Sequence, residues 1–224
     1  MSINLSTPER AKEITTPMWS DIIKPESANL IIGDKRTGKT GLCFWILENF
    51  SQQYHLMPIV VGFPKSKKYL MPERFISLDT VEEVKKWSDA VIFMDEGDIQ
   101  LPLEETKVRK HMVDLLSLPG QRNQILLLAF HFPRLVLSRY LPYFESIILK
   151  RPSFLWEFAG KGKNDTLVGM MREAENQFQK MNPEETTKNS YIISKMVRWK
   201  GMITNPLPSF WTPELSKAWA LGEE

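Results

Sequence analysis

The sequence predicts an α/β protein in three layers, with helices covering both faces of a mostly parallel sheet. Three observations point there. Short apolar runs of strand length alternate with helix-length segments, a glycine-framed loop joins the first run to its helix, and a later run ends in two adjacent acids. Runs that are apolar at every position belong to strands buried on both faces, as parallel strands are when helices cover them.

Residues 1–23 read as an N-terminal helical segment. Ala28–Ile32 (ANLII) is the first strand and stops at Gly33. Lys39–Tyr54 follows as a mostly apolar helix carrying Leu42, Phe44, Trp45, Ile46, Leu47 and Phe50. Pro58–Phe63 reads as the second strand, Val81–Trp87 as a short helix and Ala90–Met94 (AVIFM) as the third strand. A polar helical stretch, Glu104–Leu118, leads to the fourth strand, Ile125–Phe130 (ILLLAF). The helical segment PRLVLSRYLPYF precedes the fifth, Ser146–Leu149. Beyond Pro152 the pattern weakens: Thr166–Lys180 reads as helix, Tyr191–Trp199 as extended chain and Pro213–Leu221 as a terminal helix. The expected organisation is a core over 24–152 and an α+β extension, 153–224, packed on it.

Composition limits the functions open to this chain. It has 224 residues, 29 Lys plus Arg against 27 Asp plus Glu, and a formal charge of +2. No blanket positive field is present, so any nucleic-acid surface must be local. A lone cysteine, Cys43, excludes an internal disulfide framework or a cysteine-rich zinc site. Cys43 is expected in the helix core. No run approaches the apolar length of a spanning helix, and the first residues lack a secretory core, which predicts a cytoplasmic protein.

Gly33-Asp34-Lys35-Arg36-Thr37-Gly38-Lys39-Thr40 fits G-x-x-x-x-G-K-[ST] in full, after a strand and opening a helix. Such a loop wraps phosphate with consecutive backbone N–H groups, which glycine permits, and the helix adds its positive dipole end. The nucleotide-binding set is thus Gly33, Asp34, Lys35, Arg36, Thr37, Gly38, Lys39, Thr40 and Gly41. Lys39 can reach the β- and γ-phosphates, and the Thr40 hydroxyl can ligate Mg²⁺. Lys35 and Arg36 touch phosphate or are simply solvated.

The third strand ends in Asp95-Glu96. At the carboxyl edge of a parallel sheet, Asp95 would stand beside the loop and hold Mg²⁺ through its water shell. Glu96 would polarise the water that attacks the γ-phosphate; Asp98 is a weaker candidate. His131 at the fourth strand's tip can bond the attacking water or the γ-phosphate. Arg122, just before that strand, is a candidate finger for a neighbouring subunit's nucleotide, with Arg134 and Arg139 behind it.

This ordering resembles the FtsK–HerA superfamily of P-loop ATPases over residues 28–152: a phosphate loop, a strand ending Asp95-Glu96, Arg122 before a further strand, and His131-Phe132-Pro133. In that superfamily the last tip usually reads Gln-x-Pro, and here histidine stands in the glutamine's place. The resemblance implies a RecA-like (ASCE) sheet with its five strands in the order 5-1-4-3-2. It also implies ATP and Mg²⁺ as cofactors and a ring, hexameric or pentameric, threading double-stranded DNA without reading its sequence. The small size is most like the genome-packaging ATPases of viruses, which implies a capsid or portal-like vertex as a further partner and a place in the host cytoplasm or the virion.

DNA would meet Lys65-Ser66-Lys67-Lys68-Tyr69, or Lys107, Arg109 and Lys110, through phosphate contacts. Two other readings stand beside the motor: a small nucleotide or nucleoside kinase, and a Zot-like or assembly ATPase that does not move DNA. The kinase would need an arginine-rich lid that no motif here supplies. Zot-like proteins typically carry a membrane segment.

Overall fold

The computed structural model describes residues 16–95, 105–131, 138–152 and 165–219. Eight strands form one sheet: β1 (Ser27–Ile32), β2 (Met57–Val61), β3 (Ile76–Leu78), β4 (Ala90–Met94), β5 (Gln124–Phe130), β6 (Ser146–Leu149), β7 (Asn189–Ser194) and β8 (Trp199–Thr204). Their order is β3-β2-β4-β5-β1-β6-β7-β8. The first six are mutually parallel, and β7 and β8 close the edge as an antiparallel pair. The five strands read from the sequence stand in the expected order, β6-β1-β5-β4-β2.

The helices are α1 (Trp19–Ile22), α2 (Lys39–Gln53), α3 (Glu105–Arg122), α4 (Asp165–Phe178) and α5 (Pro183–Thr186). Alternation along the strands divides the core between two layers. Leu30 and Ile32 of β1, Ile92 of β4 and Leu128 of β5 pack with Leu115 of α3 and with Leu167 and Phe178 of α4. On the other face Ile31, Phe93 and Leu127 pack with Leu42, Phe44 and Leu47 of α2. Helices therefore cover both faces, and every described residue of β1, β4, β5 and β6 is buried.

Helix α2 is apolar almost all round because it is covered twice. The sheet lies on one side, and the C-terminal segment crosses the other. The Phe44 ring meets Phe93 of β4 at 5.5 Å, Phe210 at 5.7 Å and Trp219 at 6.0 Å between centroids.

Several elements differ from the sequence reading. Val81–Lys86 and Ser138–Tyr143 are 3₁₀ turns rather than α-helix, and the short strand β3 was not expected. Tyr191–Trp199 is not one extended run: it spans a tight turn between β7 and β8, with Arg198 at φ 49°. The expected terminal helix is reduced, among the described residues, to a 3₁₀ turn at Leu215–Lys217. Glu104–Leu118 extends as α3 to Arg122, with Pro119 inside its last turn. Within 1–23 the described helix is the single turn α1.

Because β1, β4, β5 and β6 run parallel, the residues that follow them gather at one sheet edge. Gly33, Asp95, His131 and Lys150 are those residues. The site is built there.

Candidate nucleotide site

Strand β1 delivers the loop, and α2 receives it. Gly38 is the N-cap of α2 and sits in the left-handed region at φ 88°, where a side chain would be strained. No side chain caps the first turn of α2, so its N–H groups face the loop. The Asp34 carboxylate accepts from its neighbour Lys35 N–H at 2.8 Å, and the Thr37 hydroxyl donates to Asp34 O at 2.7 Å. These bonds pin the turn before any ligand arrives. Lys35 and Arg36 are exposed, which fits solvation.

Gly33 is fixed by crowding rather than by torsion. A Cβ there would lie 2.5 Å from Lys150 Cβ, closer than real side chains approach. A Cβ on Gly38 would meet the Thr187 carbonyl oxygen at 2.8 Å. Gly41, in the first turn of α2, faces Leu207 and Trp211 of the C-terminal segment.

Lys39 is 4% exposed, and its ammonium donates to Gly33 O at 2.7 Å and Asp34 O at 2.8 Å. It also lies 2.9 Å from His131 Nδ1. An ammonium can only donate, so Nδ1 accepts and the ring proton belongs on Nε2. The Thr40 hydroxyl donates to Asp95 Oδ2 at 2.8 Å, across the gap between α2 and the tip of β4. Asp95 is itself buried.

The four tips therefore meet. Lys39, Thr40, Asp95 and His131, expected together from sequence, form two hydrogen-bonded pairs at the start of α2, Lys39 with His131 and Thr40 with Asp95. Glu96, Asp98 and Arg134 lie outside the described residues, as do the side chains of Arg139, Lys107, Arg109 and Lys110. Arg122 is brought elsewhere: its carbonyl accepts from Asp89 N–H at the foot of β4 and β5. That is the opposite sheet edge, about 20 Å of strand from His131, so Arg122 does not enter its own chain's site. Cys43 is fully buried on α2 as expected, and burial, then the nearby Asp95 carboxylate, push its thiol well up.

Lys150 was missed. It follows β6, is fully buried, and donates to the carbonyls of Thr187 and Asn189, each at 2.7 Å. Burial brings its pKa down to about 7, with the like charge of Lys39 acting in the same direction. The signal that located Asp95 and His131, a polar residue directly after a buried strand, also marks Lys150.

The residues present fit a metal-bound nucleoside triphosphate. An uncapped helix start with a left-handed glycine suits phosphate. The hydroxyl and carboxylate oxygens of Thr40 and Asp95 are hard ligands at one place, in keeping with Mg²⁺. Among the described residues no group of three or more His, Cys, Asp or Glu could hold a metal ion. No described helix is long and apolar enough to cross a membrane.

No protein-family model matches the chain, and no curated protein matches it either. Solved structures do. The crystal structure of B204, the DNA-packaging ATPase from Sulfolobus Turreted Icosahedral Virus, superposes with a TM-score of 0.60 at 14% identity, covering 82% of this chain and 100% of that one. The genome packaging NTPase B204 from Sulfolobus turreted icosahedral virus 2 is similar in its AMPPCP complex, with a TM-score of 0.58, 12% identity and coverage of 82% and 100%. In its ATP-gammaS complex the values are 0.57, 13%, and 82% and 99%. At these identities the likeness is one of fold: an α/β fold with a mostly parallel sheet is shared over four-fifths of this chain's length with the B204 packaging NTPases.

Proposed function

We propose that this chain is a Mg²⁺-dependent ATP hydrolase that translocates double-stranded DNA, as a genome-packaging motor does. The observation that carries the hydrolase reading is the Thr40–Asp95 hydrogen bond of 2.8 Å beside the buried Lys39. It supports a metal-and-phosphate seat at the mouth of the loop. The DNA-motor reading is supported by the shared fold with packaging NTPases.

In this reading the loop from Gly33 to Thr40, with Gly41 behind it, binds the phosphates through backbone N–H groups. Lys39 turns from the Gly33 and Asp34 carbonyls onto the β- and γ-phosphates. Thr40 and Asp95 hold Mg²⁺, which when bound would neutralise charge on the phosphate oxygens. His131, already in contact with Lys39, orients the attacking water or reports the γ-phosphate. Glu96, next to Asp95, takes the proton from that water. Arg122 acts in trans, on the site of a neighbouring subunit in a hexameric or pentameric ring.

DNA phosphates would meet the 3₁₀ turn Lys65–Leu70. Lys65 is paired with Asp79 at 2.7 Å, but both are largely exposed, and such pairs are worth little. A DNA phosphate can replace the partner. The test is displacement of a third strand from duplex DNA. A translocase with ATP and Mg²⁺ strips the strand at a rate that depends on ATP. Hydrolysis without displacement would leave an assembly ATPase, and phosphate transfer to a nucleoside would leave a kinase.

A further inference from the structure

The phosphate loop is held from behind by a residue outside its motif. We propose that Lys150 is a positioning residue that fastens the start of β7 to the back of the phosphate loop and so keeps the loop in its binding shape. This rests on reading the loop as the nucleotide site.

The geometry is specific. Lys150 N–H donates to Ile32 O at 2.7 Å, extending the β6–β1 ladder to the last residue before the loop. Its Cβ fills the space a Gly33 side chain would need, and its Nζ lies 3.5 Å from the Cβ position of Gly38. One side chain thus runs beneath the loop from its first glycine to its last. The ammonium then ends on the Thr187 and Asn189 carbonyls, each at 2.7 Å. Thr187 O also closes the far side of Gly38. A side chain at either glycine would collide with Lys150 or Thr187.

The clamp does not need the proton, because a neutral amine still offers two N–H donors for two carbonyls. A polyanion on the loop favours the ammonium. The titratable groups acting on Lys150 are Cys43 and Lys39, both of α2; the chain leading into β7 presents the two carbonyls. With a pKa of about 7 in the free protein, Lys150 is mostly neutral at pH 8. It should gain charge when phosphate binds.

The experiment is calorimetric titration of the full chain with Mg²⁺ and AMPPNP, from pH 7 to 9, in buffers of different ionisation enthalpy. Wild type should take up part of a proton at pH 8 and bind more weakly as pH rises. Lys150→Met, which keeps the stem and loses the donors, should bind roughly tenfold more weakly at pH 7, with a flat profile and no proton uptake. A Lys150→Met variant that binds as tightly as wild type at pH 7 overturns the proposal, whatever its pH profile. Should that variant not fold, Lys150→Gln, which keeps an amide donor on a shorter stem, decides: binding equal to wild type at pH 7 overturns the proposal. Absence of any binding by wild type, or full binding by Lys39→Ala, would instead remove the nucleotide-site reading and the proposal with it.

Discussion

Lys39 meets the Gly33 carbonyl, the Asp34 carbonyl and His131 Nδ1. Its ammonium is held by the loop it is expected to serve. Lys39→Ala should abolish measurable nucleotide binding, read by fluorescent-nucleotide titration. Glu96→Gln should do the reverse: binding stays, and hydrolysis falls by about 10²- to 10⁴-fold, as for loss of a general base. Hydrolysis at the wild-type rate in that variant would remove Glu96 from the mechanism. Gly38→Ala forces a side chain into the left-handed region and toward Thr187 O. It should lower stability by about 1–2 kcal/mol and weaken binding as well. At this scale the site was largely legible, because a polar residue ending an apolar strand has few structural reasons to be there. Asp95 and His131 follow that rule, and so does Lys150. Thr187 does not: it acts through a backbone carbonyl that any residue supplies, so its identity carries no signal.

Helix α2 joins the site to the core. Phe44 packs against Phe63, Phe75, Phe93, Phe210 and Trp219, so Phe44→Ala should cost about 3–5 kcal/mol in denaturant unfolding. Lys150 adds a pH term. Its folded pKa lies below the ordinary lysine value, so between about pH 7 and that value the unfolded chain binds more protons. Stability of the nucleotide-free protein should therefore rise with pH over that window, by at most about 1.4 kcal/mol per pH unit. Lys150→Met should lack that contribution. Replacing Lys65, Lys67 and Lys68 together with alanine should weaken DNA binding and flatten its salt dependence; unchanged binding rules that turn out. The β7–β8 hairpin escaped the sequence reading for a local reason. Its turn is Lys195-Met196-Val197-Arg198, without the Gly, Asn, Asp or Pro that usually mark turns, and Arg198 takes the left-handed conformation instead. Strand β3 was hidden because three residues are too few to show a period.

Over the whole molecule, the sheet order assigns each tip its place. Putting β5 between β1 and β4 leaves Asp95 opposite Thr40 and His131 against Lys39, while β6 sets Lys150 behind the loop. The C-terminal chain does more than extend the core: β7 and β8 continue the sheet, and Phe210 and Trp219 cover α2. That arrangement depends on pairings distant in sequence, which local pattern does not encode. The opposite sheet edge carries Arg122, so a single chain lacks a finger from that residue. A formal charge of +2 likewise gives one chain little hold on DNA. Under the proposed function, an assembled ring would supply both. The most direct measurement is phosphate release from Mg²⁺–ATP by the assembled protein, with and without duplex DNA. Duplex DNA should stimulate turnover several-fold, and Thr40→Ala should abolish it. Turnover by a monomer, indifferent to DNA, would contradict the motor reading.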